Sequence, residues 1–170
     1  MTETLSPILP DAIEHRARAV LERACARDLS IATAESCTGG LLASLLTDVE
    51  GASHAFDRGF VVYSEAAKCA LLGVAQAQID RCGAVSRDVA EAMALGALKA
   101  SDAQVALAIT GFAGAGAPGD EAGLVHFACA SGGDAAPRMR HREEHFGDIG
   151  RGPVRIASLA VALDMLADAL

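Results

Sequence analysis

The sequence predicts a three-layer α/β/α domain with a mixed, mostly parallel sheet. Three observations carry the expectation. Helix-spaced apolar stripes alternate with short apolar runs through the first half of the chain, and Ala103 to Thr110 is a nearly continuous apolar run of strand length, as expected for a strand covered on both faces. Two strand-like segments separated by a glycine turn close the second half. The 170 residues suffice for one domain with a real core. Met1–Pro10, with two prolines and few apolar anchors, reads as a tail, and 11–170 as a single domain.

In chain order, Asp11 caps a helix reaching roughly Arg27, whose Ile13, Ala17, Val20, Leu21, Ala24 and Cys25 form one apolar stripe. Leu29 to Ala32 reads as a buried strand. It feeds through Thr33-Ala-Glu-Ser-Cys-Thr-Gly-Gly40 into a helix containing Leu41, Leu42, Leu45 and Leu46. After the polar turn Glu50 to His54, Phe56 to Tyr63 reads as a strand. Ser64 caps a short helix through Leu72, stopped by Gly73, and a loose segment runs on to Gly83. Ser86 starts the next helix, with Val89, Met93, Gly96 and Ala97 on one side. Ala103 to Thr110 ends in the glycine-rich loop Gly111 to Gly123. Leu124 to Ala130, a turn at 131–134 and the more polar Arg138 to Phe146 form a hairpin, and Gly152 and Pro153 open a final amphipathic helix.

The totals exclude several classes. A formal net charge of −8, with scattered basic residues, gives no stripe to neutralise a nucleic-acid backbone. No apolar run is long enough to cross a bilayer, and Met1–Pro10 has neither the basic nor the apolar region of a secretory signal. Five widely spaced cysteines, without a Cys-x-x-Cys pair, read as reduced thiols in a cytoplasmic protein. His54, His126, His141 and His145 show no spacing that suggests a metal, and no cofactor is expected.

In open sheets of this class, ligands sit beyond the carboxyl ends of the strands. The loops after Ala34, Tyr63 and Thr110 qualify, and they carry hydroxyls, Lys68 and glycines. The Ser36 to Gly40 turn, leading into a helix, suits a phosphate, a carboxylate or an oxyanion, or it is an ordinary cap. The Gly111 to Gly119 loop has the glycines to wrap a phosphate but lacks the Gly-Lys-Ser/Thr ending of a P-loop. Lys68, near a helix start beside the sole tyrosine, Tyr63, has the placement of a general base if it is buried. Ser53 precedes it by fifteen positions, and a Ser–Lys pair is an accepted form of activated serine.

Together these stretches resemble the CinA C-terminal domain family, the nicotinamide-nucleotide amidases. The matching pieces are Thr33-Ala-Glu-Ser-Cys-Thr-Gly-Gly40, Gly51-Ala-Ser53, Gly59-Phe-Val-Val-Tyr-Ser64 with Lys68, Leu72-Gly-Val74, Gly83-Ala-Val-Ser86, Ile109-Thr-Gly-Phe-Ala-Gly114, and Phe146-Gly-Asp148 with Arg151 and Arg155. The resemblance implies an α/β/α domain that self-associates, with a dimer favoured. It also implies metal-free hydrolysis of the carboxamide of nicotinamide mononucleotide to nicotinate mononucleotide and ammonia. Carried over, Ser53 is the nucleophile, with Ser36 as its competitor, Lys68 the base and Tyr63 a helper. Ser36, Thr110 and Arg151 line the site. Amides from Ser36 through Thr38 to Gly39, or from Gly111 to Gly114, stabilise the oxyanion, and glycine-loop amides with Arg151 hold the phosphate. The sequence departs from the family pattern at Ala115, where a proline is usual, and at Ile149-Gly150, inserted before Arg151 and expected to shift that arginine. The second reading is a non-catalytic nucleotide- or partner-binding module of the same competence/damage-inducible family.

Overall fold

In the computed structural model, which describes residues 9–132 and 136–170, strands β1 (Ile31–Glu35), β2 (Phe56–Val61), β3 (Val105–Gly111), β4 (Leu124–Ser131) and β5 (Arg138–His145) form one sheet. Their spatial order is β2-β1-β3-β4-β5. β1 pairs in parallel with β2 and β3, whereas β4 is antiparallel to both β3 and β5. Four strands therefore run one way and β4 alone runs back, which is the mixed sheet the sequence predicts.

Side chains alternate between two cores. On one face Ile31, Val105, Leu107, Ile109, Val125 and Phe127 meet helices α1 (Asp11–Ala26), α2 (Leu41–Thr47) and α6 (Arg151–Ala169). On the other, Ala32, Ala34, Ala106, Ala108, Ala128 and Ala130 meet α3 (Glu65–Leu72), α4 (Gln76–Cys82) and α5 (Arg87–Lys99). Alanine is thus concentrated on one face, where α5, itself carrying Ala90, Ala94, Gly96 and Ala97, packs against a nearly flat surface. No helix among the described residues is long and apolar enough to cross a membrane.

Most helix signals act as expected. Ser64 Oγ accepts from the Ala67 amide at 3.1 Å, Ser86 Oγ accepts from Val89 at 3.4 Å, and Gly73 ends α3 in the left-handed conformation at φ 67°. Two differ. Asp11 is the first helical residue of α1, preceded by Pro10, so its carboxylate complements the helix dipole rather than capping it. The segment expected to be loose after Gly73 contains α4, which buries Ile79 and whose C-terminus is closed by Gly83. Met1 to Pro10 as a tail falls largely outside the described residues, as do Gly133 and Asp134 of the expected hairpin turn.

Candidate active site

The site is built at the carboxyl ends of β1, β2 and β3, and strand alternation assigns the first two side chains. Glu35, on the α2 face, is fully buried, and its carboxylate accepts from the amides of Leu42 at 3.0 Å and Ala43 at 2.8 Å. The N-terminus of α2 is therefore closed by a side chain of this chain and is not available to a phosphate or an oxyanion. Neither Ser36 nor Thr38 caps α2; Gly40 stands at that position with φ 89°. Ser36, one residue after Glu35, points to the opposite face, its amide still bonded to Ile109 O at 3.0 Å as if β1 continued.

On that face Lys68 rises from the first turn of α3. It is 1% exposed, the largest of the fully buried side chains. Its Nζ lies 2.9 Å from Ser36 Oγ, 2.9 Å from Val62 O and 3.3 Å from Tyr63 O. Burial pushes the Lys68 pKa below the ordinary lysine value, opposed by smaller attractions from Cys37, Glu65 and Cys69. A neutral amine has two N–H groups and one lone pair. Protonated, the amine donates to Ser36 Oγ and both carbonyls; once deprotonated, its two N–H groups can stay on the carbonyls and its lone pair is then free to accept from the Ser36 hydroxyl. Cys37 is buried beside this pair, and desolvation raises its thiol to about 11, so it stays protonated and is a poor nucleophile at neutral pH.

A pocket of about 270 Å³ opens over Ser36 and Lys68 and is closed by Tyr63, Thr110, the Gly111–Gly116 loop and Arg151. Its one permanently charged lining residue is the cation Arg151, in a chain of net charge −8. Arg151 Nη2 is 3.2 Å from the Tyr63 hydroxyl, so the Ile149-Gly150 insertion does not carry this arginine out of the site. One turn along α6, Arg155 Nη2 donates to Thr38 O at 2.7 Å and clamps the Ser36–Gly40 turn. The Thr110 hydroxyl donates to Ala84 O at 2.9 Å, which fixes the Ala84–Val85 wall of the pocket. Of four larger clefts among the described residues, those of about 420 and 470 Å³ share Gln104 and Gly132; Lys99, in the second, is exposed.

The structure brings together Ser36, Tyr63, Lys68, Thr110, Gly111, Gly114 and Arg151. It does not bring Ser53. That residue lies in a short 3-10 turn (Ser53–Ala55) preceding β2, exposed, in a separate cleft with Leu46, Val49 and Phe56. Lys68 follows β2, and six strand residues span about 20 Å, so the pairing of Ser53 with Lys68 is not made; the lysine meets Ser36. Thr38 and Gly39 do not line the pocket. Thr38 is fully buried, its hydroxyl without a hydrogen-bond partner among the described residues, and Gly39, at φ 62°, turns the chain against Arg155. Amides of the turn are also partly committed, since Ser36 donates to Ile109 and Gly39 to Ser36 O. Sequence reasoning missed the roles of Glu35 and Arg155. The only linear signal for Glu35 was its position just ahead of a helix.

Comparison with known proteins places this arrangement. The family model described as the CinA C-terminal domain matches residues 13–170. The chain is 44% identical over 144 residues, 83% of its length and 84% of the relative's, to the nicotinamide-nucleotide amidohydrolase PncC of Escherichia coli. It is 47% identical over 125 residues to a CinA-like protein of Akkermansia muciniphila, matching 72% of this chain but 30% of that protein. The chain spans about a fifth to a third of the length of such CinA-like relatives. Among solved structures, the competence/damage inducible protein CihA of Agrobacterium tumefaciens superposes with a TM-score of 0.89 at 43% identity, covering 95% of this chain and 97% of that one. A CinA superfamily protein of Escherichia coli gives 0.86 at 37% identity, with 95% and 94% covered. The chain belongs to the CinA C-terminal domain family.

Proposed function

We propose that the chain hydrolyses the carboxamide of nicotinamide mononucleotide to nicotinate mononucleotide and ammonia, with Ser36 as nucleophile and Lys68 as general base. The observation that carries the reading is the buried, desolvated Lys68 amine 2.9 Å from the Ser36 hydroxyl. The likeness to proteins named nicotinamide-nucleotide amidohydrolase supports the substrate, as does the Arg151 guanidinium in the pocket lining, suited to a phosphate.

Ser36 Oγ attacks the amide carbon while its proton passes to Lys68 Nζ. The tetrahedral oxyanion takes backbone donors from Cys37 or from the Gly111–Gly114 loop, which line the pocket, each worth about 3 kcal/mol in such sites. Lys68 then returns the proton to the departing nitrogen, releasing ammonia and leaving an ester on Ser36. Water attacks the ester, gives its proton to Lys68, and nicotinate mononucleotide leaves as Ser36 Oγ is reprotonated. Arg151 and amides of the Gly111–Gly116 loop hold the phosphate, and Tyr63, bonded to Arg151, closes the mouth.

The test is ammonia and nicotinate mononucleotide production by the purified chain with a chelator present. Turnover lost in Ser36→Ala and kept in Ser53→Ala supports the assignment. Turnover kept in Ser36→Ala overturns it. Nucleotide binding without turnover in the wild-type chain supports the alternative, a non-catalytic nucleotide-binding module.

A further inference from the structure

A second cluster of chemistry-bearing side chains lies on the α5 face of the β4–β5 hairpin. His126 and Glu143 are direct cross-strand partners, and His141, opposite Ala128, stands two residues from Glu143 on the same face. His126 Nδ1 is 3.1 Å from His141 Nε2 and 3.5 Å from Glu143 Oε2. All three ligand atoms lie within 4.8 Å of one another. A tetrahedral zinc ion with bonds of about 2.0–2.1 Å holds its ligand atoms about 3.3–3.4 Å apart. The His126–His141 and His126–Glu143 separations bracket that edge, and the His141–Glu143 separation lies within 4.8 Å.

The surroundings orient the carboxylate. His145 Nε2 is 2.9 Å from Glu143 Oε1, and His145 Nδ1 is 2.6 Å from Glu121 Oε1. One Glu143 oxygen is thereby held from outside, and the other lies 3.5 Å from His126 Nδ1, as outer partners hold a ligating carboxylate in metal sites. His126 is 6% exposed, while His141 is half-buried and Glu143 reaches solvent, so an ion has an entry path and room for water. Cys129, on the same strand, faces the opposite core and is out of reach.

We propose that His126, His141 and Glu143 form a three-ligand site for a divalent transition-metal ion, Zn²⁺ by its donor set, with the fourth position open to water. The ion ties edge strand β5 to β4. The site is separate from the Ser36–Lys68 pocket, and its readout is metal binding, so it stands independently of the amidase reading. The competing account of the same geometry is a direct hydrogen bond between two neutral imidazoles.

The experiment is titration of Zn²⁺ into the chelator-stripped chain by calorimetry, with thermal melts alongside. The expected result is one ion per chain with micromolar or tighter affinity, and a melting temperature raised by about 5–10 °C at a hundredfold excess over Kd. His141→Ala and Glu143→Gln, both at exposed or half-buried positions that leave the hydrophobic cores intact, weaken binding at least about tenfold; His54→Ala does not. The Co²⁺ form shows d–d bands without a thiolate charge-transfer band. Absence of saturable binding, undiminished binding in Glu143→Gln, or a thiolate band would overturn the site.

Discussion

Lys68 Nζ and Ser36 Oγ stand 2.9 Å apart across 32 residues of chain, both buried, with no carboxylate among the described residues bonded to the amine. A lysine removed from water without an anionic partner loses much of the reason to be charged, and a hydroxyl at its lone pair is where the proton transfer would occur. Ser36→Ala and Lys68→Ala are each expected to lower kcat by at least about 10³-fold, and the double variant by little more than either alone, because the two act as a unit. Ser53→Ala is expected to stay within about twofold of wild type. Steady-state kinetics on the four proteins checks all three statements.

The pH dependence follows from the direction of the Lys68 shift. The base must be neutral, so kcat/KM rises with pH as the proton leaves, with an inflection below the ordinary lysine value of about 10.4. Stability has the same sign. The folded state binds fewer protons than the unfolded chain between the lowered folded pKa and the unfolded one, so unfolding free energy climbs with pH through that window and the gain is absent below it. Lys68→Met lacks this climb. Lys68→Arg, which cannot deprotonate, is inactive at every pH. Denaturant melts and rate profiles between pH 6 and pH 10.5 check the pair.

Arg151 touches the Tyr63 hydroxyl and forms one wall of the pocket. If it holds phosphate, Arg151→Ala raises KM by about 10- to 100-fold, corresponding to a lost charge-assisted contact, and lowers kcat much less. Tyr63→Phe keeps most of the activity, since the ring remains and only the hydroxyl is lost. A fall in kcat with unchanged KM in Arg151→Ala would move the arginine to the reacting end of the substrate.

The fold was legible because its main signals are clean: a nearly continuous apolar run at β3, a polar outer strand at β5, and serine caps that act at Ser64 and Ser86; β1, expected at Leu29–Ala32, runs instead from Ile31 to Glu35, because the polar Thr33 and Glu35 are buried in the strand. α4 escaped because it buries a single residue, Ile79, which gives no stripe. The site was legible as loops. The rule that ligands gather beyond the carboxyl ends of strands brought the segments of Ser36, Lys68 and Thr110 together, and the family resemblance added Arg151. The same rule argues against Ser53, which precedes β2 and so belongs to the other end of the sheet; nearness to Lys68 in sequence hid that. The His126–Glu143 contact was invisible to linear spacing because hairpin register creates it.

Glu35 carries a prediction about stability that also reaches the site. Its buried carboxylate is the cap of α2, and the residue after it is Ser36. Glu35→Gln offers one carbonyl oxygen where two carboxylate oxygens now accept, leaving an amide of Leu42 or Ala43 unpaired. The expected cost is about 2–3 kcal/mol, or a melting temperature lower by about 5–10 °C. Activity falls as well, because the turn carrying Ser36 loses its anchor to α2. Thermal melts and kcat on the same sample check both.

Gly96 links the alanine-rich core to the lysine. A Cβ built on it would lie 2.1 Å from Leu72 O and 2.8 Å from Leu72 C, and backbone at that range must shift. Leu72 is the last residue of α3, one turn beyond Lys68. Gly96→Ala ordinarily favours a helix interior by about 1 kcal/mol, so helix propensity and packing act in opposite directions here. The clash is with main chain, which has no rotamer to relieve it, so packing wins and α3 is pushed away from α5. Lys68 moves with α3, while Ser36, fixed to Ile109 by its amide, does not. The expected outcome is a loss of kcat at least about tenfold in protein that is still folded at the assay temperature, because a displacement near 1 Å is enough to spoil a proton transfer. Wild-type kcat in folded Gly96→Ala would mean that α3 yields without carrying the lysine, and that the dyad is held by the Val62 and Tyr63 carbonyls instead.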